Sequence, residues 1–132
     1  MPATTYLANK LLEHQLGKTA YTMPTVYVAL SSTTPTLAGG NVTEPSGGSY
    51  SRVATTGQWG TAAAGSITNS GAITFPSATA DWVAGANLTY GVLYDAATVG
   101  NCLGYGVLTV AKNALNGDTI SIAIGQLTVT LS

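Results

Sequence analysis

The sequence is poor in charged residues. Only 7% of its 132 residues are Asp, Glu, Lys or Arg, against about 25% in an ordinary soluble domain. A net charge of −1 gives no long-range steering of ligands of either sign. The four basic residues cannot neutralise a run of phosphates, so we expect no nucleic-acid partner. They are Lys10, Lys18, Arg52 and Lys112.

Cysteine and long apolar runs are also scarce. The single cysteine, Cys102, excludes an internal disulfide and a thiolate metal cluster. No stretch approaches the roughly 18 apolar residues that a spanning helix needs, and the N-terminus lacks the basic and apolar regions of an export signal. We therefore expect no membrane partner. Hydrophobic residues still make up 45% of the chain. One domain over residues 1–132 can therefore bury a core without disulfides or metal ions to hold it together.

The first segment, residues 1–18, has the spacing of a helix. Leucines recur at positions 7, 11, 12 and 16, and the polar residues between them fall mostly on the opposite face. Thr4 or Thr5 can cap the N-terminus, and Gly17 supplies a C-terminal stop. A helix this short must dock on the domain's own sheet or on a neighbouring subunit.

After Pro24 the apolar period changes from about 3.6 to 2, which is typical of strands. Predicted strands lie at 25–30, 50–55, 66–69, 72–75, 88–95, 101–110, 119–124 and 127–131. Residues 96–100 form a hairpin turn between two of them, and Asn116-Gly117 is a second hairpin-type signal. The pattern predicts a mainly β fold, a β-sandwich or jelly roll with seven to eight short antiparallel strands and one N-terminal α-helix. Residues 31–48, rich in Gly, Pro, Ser and Thr, are predicted to form an extended loop or arm.

Residues for catalysis are few. His14 is the only histidine, and no GxSxG motif marks a nucleophile. The five carboxylates are scattered, and no zinc, calcium or phosphate-binding spacing occurs. We therefore predict no catalytic residue, no metal site and no cofactor. A small hydrolase, the remaining catalytic alternative, would need His14 beside a serine or Cys102.

Aromatic residues offer another kind of site. Seven tyrosines, two tryptophans and one phenylalanine are expected to pack in the core by default. An exposed platform containing Trp59 or Trp82 would instead suit a glycan. The strand glycines Gly91, Gly104 and Gly106 are expected to allow bulges or close sheet packing.

Five stretches of the chain carry a resemblance to a known family. They are LANKLLEHQLGKTAYTMPTVYVAL, GGSYSRVA, ITNSGAITFPSATADW, GVLYDAATVGNCLGYGVLTV and NGDTISIAIGQLTVTLS. Together they resemble small structural proteins of tailed-bacteriophage virions, which often carry the label of tail fibre protein. The resemblance implies a non-enzymatic virion component that assembles in the host cytoplasm.

Two roles are compatible with this resemblance. The compact β fold favours a capsid decoration, or cement, protein on the outer capsid surface, because the chain has no repetitive shaft. Its partners would be the major capsid protein and further copies of itself, as a dimer or trimer. The alternative is a tail fibre or tail-tip module that binds a host surface glycan. Candidate contact residues lie on the helix, the loop and a nearby arginine: Leu7, Leu11, Thr34, Pro35, Asn41, Glu44 and Arg52.

Overall fold

The computed structural model describes residues 1–131, which form one helix and eight strands. The elements are α1 (Thr5–Gln15), β1 (Tyr27–Ser31), β2 (Val53–Ala54), β3 (Ser66–Thr68), β4 (Ile73–Thr74), β5 (Leu88–Tyr94), β6 (Cys102–Lys112), β7 (Ser121–Ile122) and β8 (Thr128–Thr130). The strands pair antiparallel throughout. The prediction of a mainly β fold with a single N-terminal helix is confirmed.

The largest sheet has four strands in the order β2-β1-β5-β6. Strands β5 and β6 form the predicted hairpin, in which Tyr94 is opposite Cys102. The Asp95 carboxylate accepts the Asn101 backbone N–H at 2.7 Å, and Gly100 takes a positive φ of 71°. The Asp side chain and the glycine favour this turn locally, whereas Val99 within it takes a positive φ of 56° that β-branched residues rarely adopt.

The remaining strands form two ribbons, β3 with β8 and β4 with β7. The Asn116-Gly117 turn forms, with Gly117 at a φ of 92°, but the strands on either side of it do not pair. β6 and β7 instead belong to different sheets. The Asn116-Gly117 sequence therefore predicts correctly where the chain turns. It does not predict which strands pair.

The main core lies between the four-stranded sheet and the segment that contains β4. Val28 and Leu30 of β1 pack with Ile73 and Phe75, all at most 2% exposed. Trp82 joins this cluster, and its indole N–H donates to the Gly48 carbonyl at 2.8 Å. Burial of these aliphatic and aromatic side chains stabilises the fold by about 1.5–3 kcal/mol each.

A smaller cluster fills the opposite face of the same sheet. Ala29, Val92, Tyr94 and Cys102 are buried there, because successive side chains of a strand point to opposite faces. Val42, from the predicted loop, packs against the cluster. Both faces of the central strands are therefore covered within the chain.

The N-terminal residues cross the sheet at the strand glycines. Ala3 bridges to Gly104, and the Met1 ammonium donates to the Thr128 carbonyl at 3.0 Å. A Cβ atom at Gly106 would lie 2.8 Å from Met1 Cγ, closer than atoms can pack. The expectation of close packing at these glycines is confirmed, and the close neighbour is the chain's own first segment.

Helix α1 begins and ends inside the predicted range 1–18, because residues 1–4 are extended over the sheet. Thr4 is the N-cap, and its hydroxyl accepts the Leu7 N–H at 3.4 Å. Gly17, at a φ of 78°, follows the last turn as predicted. Only the first turn touches the core, through Tyr6 and Leu7, and no residue of the helix is fully buried.

Candidate contact surface

The 31–48 segment is a folded loop tied to β1. The Ser31 hydroxyl accepts the Thr43 N–H at 3.0 Å, and the Thr33 hydroxyl donates to the Asn41 carbonyl at 2.7 Å. The Asn41 amide donates to the Thr34 carbonyl at 2.8 Å. These bonds between residues 31–34 and 41–43 close the segment on itself, so it presents a defined surface.

Glu44 and Arg52, two of the predicted contact residues, bind each other. Their pairing is bidentate, with N–O distances of 3.0 and 2.7 Å. One guanidinium nitrogen of Arg52 also donates to the Ala96 and Val99 carbonyls at 2.9 and 2.8 Å. The Arg52 side chain is only 7% exposed and lies 3.6 Å above the Tyr94 ring centre. Its donors are thus directed to groups within the chain, and the pair fastens the loop to the β5–β6 turn.

Tyr50 extends this buried polar cluster into the main core. Its hydroxyl donates to the Glu44 carboxylate at 2.7 Å and accepts the Leu30 N–H at 3.0 Å. Burial of the ring is the main reason that the pKa of Tyr50 lies well above its ordinary value. The neutral phenol therefore holds the carboxylate, and the phenol stays protonated across the physiological range.

Cys102 is buried beside the loop, where an added Cβ on Gly39 would be 3.1 Å from the cysteine Cβ. Burial raises the pKa of its thiol to about 11 from an ordinary 9.0. Because the thiolate is the reactive form, we expect native Cys102 at pH 8 to react with a soluble disulfide reagent about 100-fold more slowly than in the unfolded chain. Absorbance of the released thiol measures both rates. Equal rates in native buffer and in guanidinium would contradict the packing of the loop over β6.

The other predicted contact residues divide between surface and interior. Thr34 and Asn41 are exposed and adjacent, whereas Pro35 is buried. Leu7 and Leu11 are half-buried, and Leu7 packs on the core. Within the predicted set, the side chains available to a partner are therefore those of Thr34 and Asn41.

The most exposed apolar residues at the helix lie outside the predicted contact set. Leu12 is 59% and Leu16 is 80% exposed, and Met23 beyond the helix is 90% exposed. At 100° per residue the Leu12 and Leu16 pair is centred about 140° from the Leu7 and Leu11 pair. The four leucines thus lie on two sides of the helix. A helical projection of the sequence is enough to distinguish the outward pair from the inward pair.

A second exposed apolar region follows the far half of β6. Val107 and Val110 are 73% and 62% exposed. Beside them an open groove of about 550 Å³ lies between β6 and the 120–128 segment, with Met1 and Leu30 among its lining residues. Ile124 and Leu131, which the alternating pattern places on buried faces, are exposed. Of the alternating apolar residues at 120, 122 and 124 and at 127, 129 and 131, the last of each set is therefore exposed while the earlier ones are buried or half-buried.

No aromatic side chain among residues 1–131 belongs to the exposed class. All ten aromatic side chains in that range are buried or half-buried. Trp82 is 5% exposed, and the half-buried Trp59 directs its indole N–H to the buried Thr55 hydroxyl at 2.9 Å. The two tryptophans proposed for sugar stacking are thus engaged in packing.

His14 and Cys102, one pair named for the catalytic alternative, have different environments. His14 is exposed on α1, and its Nδ1 accepts the Tyr21 backbone N–H at 3.0 Å, while Cys102 is buried under the loop. In the part of the chain that the structure describes, no three His, Cys, Asp or Glu side chains are grouped to hold a metal ion. Over the same residues, no helix has the length and apolar character to cross a membrane.

A model of a known protein family matches this chain. A family model described as "Podophage GP4 fiber I protein gp80" matches residues 2–130, which is nearly the whole chain. A search of curated proteins finds no match.

Proposed function

Because this chain belongs to the podophage GP4 fiber I protein gp80 family and is a structural protein of a phage virion, we propose that it is a non-enzymatic subunit of a virion fibre. It would be held to neighbouring virion proteins through apolar side chains that the single chain leaves in water. The family description names a fibre, and the outward face of α1 offers the attachment surface.

The observation that carries this proposal is the outward pair formed by Leu12 of α1 and Leu16 at its C-cap. Leu12 and Leu16 are one helical turn apart and are 59% and 80% exposed, so they form one apolar strip. An apolar strip that faces water is a candidate docking surface for another protein. Removing this strip from water would contribute at about 25 cal/mol per Å² of apolar surface.

The buried aromatics support attachment over receptor binding. A glycan-binding surface needs exposed rings on which a sugar can stack, whereas Trp82 is buried and the half-buried Trp59 donates its indole N–H to Thr55. We therefore propose that this subunit connects parts of the virion, and that recognition of the host belongs to another component.

Capsid decoration is the second candidate. The described chain is compact and has no repetitive shaft, and its net charge of −1 would let many copies crowd side by side with little repulsion. In that role the same helix surface, together with Thr34 and Asn41 of the 31–48 loop, would contact the major capsid protein. Each copy would bridge neighbouring shell subunits and add its interface to the stability of the shell.

Copy number in purified particles distinguishes the two roles. Quantitative mass spectrometry against the major capsid protein is expected to give a small fixed number of copies per particle, as a fibre requires. A ratio near one, or a simple fraction of one, would replace the fibre proposal with capsid decoration. Absence from purified particles would overturn both.

Incorporation into particles tests the helix surface. We expect the double variant Leu12→Gln with Leu16→Gln to lower the amount of protein in purified particles at least tenfold. Glutamine is a good helix former and both sites are exposed, so the free energy of unfolding should change by less than about 1 kcal/mol.

His14→Gln is the matched control for that variant, because His14 lies on the same helix about 180° from the leucine pair. It should leave incorporation unchanged. Normal incorporation of the double leucine variant would show that this strip is not the attachment surface.

A further inference from the structure

A row of residues across the main sheet leaves an apolar groove on its core face. Leu30, Gly91 and Gly106 are opposite one another on β1, β5 and β6, and neither glycine has a side chain to fill the space beside Leu30. The Met1 side chain covers part of this row, because a Cβ at Gly106 would lie 2.8 Å from Met1 Cγ. The remaining space is the open groove of about 550 Å³.

The walls of this groove are aliphatic, and one of them is a bulge. Residues 108–111 of β6 form a bulge opposite the single residue Thr89 of β5, and a bulge bends its strand out of the regular sheet. Leu108 and Val110 of the bulge line one wall. Three aliphatic side chains line the opposite wall: Ile120, Ile122 and Leu127. Apolar side chains from another surface would therefore meet apolar side chains on both sides.

The charged groups that line the groove are cationic. They are the exposed Lys112 side chain and the Met1 ammonium. Among residues 1–131, no carboxylate lines the groove, and the ammonium already donates to the Thr128 carbonyl at 3.0 Å. The groove therefore fits an apolar surface that carries a carboxylate on its flank.

The outward leucine strip at α1 has this chemistry. Leu12 and Leu16 are exposed, and neither lines the groove of its own chain. At 100° per residue, Glu13 is about 80° from the centre of the strip and Lys10 about 140°. The charge of the helix nearest to the strip is thus a carboxylate. Its ion pair with Lys18, at 3.9 Å between exposed side chains, is weak and leaves it available to a partner.

We propose that the leucine strip of one copy docks in the groove of a second copy, with Glu13 beside Lys112 of that copy. This inference rests on the proposed attachment role of the strip and names its partner. The contact joins two different surfaces of the chain, so each copy can use both at once. Such a contact repeats into a ring or a filament, and repetition lets a short chain without a shaft build a fibre.

Two variants that each remove one side of the contact provide the test. Leu12→Gln with Leu16→Gln removes the strip, and Val110→Glu places a carboxylate in the groove at an exposed position. Sedimentation velocity at about 100 µM should find assemblies larger than a dimer for the native chain. Each variant alone should have an apparent dissociation constant at least about 30-fold higher. An equimolar mixture should form a dimer, because the strip of the Val110→Glu chain then meets an intact groove.

Ala54→Glu is the control, since Ala54 is exposed on β2, at the opposite edge of the sheet from β6. It should leave the assembly intact. A native chain that stays monomeric, or a mixture of the two variants that does not associate, would overturn the inference. In either case, a loss of particle incorporation in the double leucine variant would still support attachment of the strip to another virion protein.

An exchange of charges tests the pairing of Glu13 with Lys112. Lys112→Glu should weaken assembly at least about tenfold, because two carboxylates then face each other across the contact. Adding Glu13→Lys should restore the apparent dissociation constant to within about threefold of the native value. Assembly that stays weak in a double variant that folds normally would overturn this orientation of the strip in the groove.

Discussion

Replacing Arg52 with methionine is expected to lower the free energy of unfolding by about 3 kcal/mol, because the Glu44 carboxylate keeps its place without its counter-charge. The Ala96 and Val99 carbonyls lose their donor as well. Methionine retains most of the apolar volume of the arginine side chain. The decrease in the free energy of unfolding therefore measures the polar interactions of Arg52 and little of its packing. Urea denaturation monitored by tryptophan fluorescence measures the change.

Two further variants decide whether the buried pair is the cause. Lys18→Met removes an exposed pair whose Nζ–Oε1 distance to Glu13 is 3.9 Å and should cost less than about 1 kcal/mol. Adding Glu44→Gln to Arg52→Met should recover part of the loss, because it removes the uncompensated charge. A cost for Arg52→Met no greater than that for Lys18→Met would contradict the structural role of the pair.

Replacing Gly104 with valine is expected to cost about 2–3 kcal/mol, the upper part of the usual range for overpacking. A Cβ at this position would lie 2.8 Å from the Pro2 carbonyl oxygen, and that neighbour is backbone. The first four residues must therefore lift from the sheet. The 2.5 Å bond from the Thr4 hydroxyl to the Cys102 carbonyl would then be lost.

Gly40→Ala is the matched control for Gly104→Val. A Cβ at Gly40 would have only an ordinary contact, 3.5 Å from Thr36 Oγ1, so the change should be small. Limited proteolysis supplies a second measurement, because displacement of residues 1–4 should make the N-terminus of Gly104→Val sensitive while that of Gly40→Ala stays protected. Native-like stability and protection in Gly104→Val would show that this segment does not depend on the glycine.

The sequence was sufficient to predict the elements whose signals are local. The Thr4 cap and the Gly17 stop bracket the helix, and the Asp95–Gly100 turn forms the hairpin, because each depends on residues a few positions apart. The eight predicted strands all have a counterpart in the structure, although several are two or three residues long. Alternation of apolar residues is enough to identify such segments. The residues at which each strand begins and ends depend on the strand with which it pairs.

Partners distant in sequence could not be predicted in this way. Ser66 pairs with Thr130, and Ile73 with Ile122, so each ribbon joins residues that no local pattern connects. Arg52 was predicted to be a charged contact for a partner. Its bond to Glu44 depends on how the loop folds over the sheet, which a single sequence does not reveal.

The contact between the Met1 ammonium and the Thr128 carbonyl has a consequence for how the chain reaches its native state. Met1 cannot form this contact until residue 128 has been synthesised. In the same way, β1 cannot pair until β5 has been synthesised. Folds dominated by such distant pairings acquire structure in milliseconds to seconds, slower than helical proteins of the same size. During that interval the apolar residues of β1 and β5, which are buried in the native chain, are exposed to other nascent chains. Slow synthesis at low temperature should therefore favour soluble material over inclusion bodies.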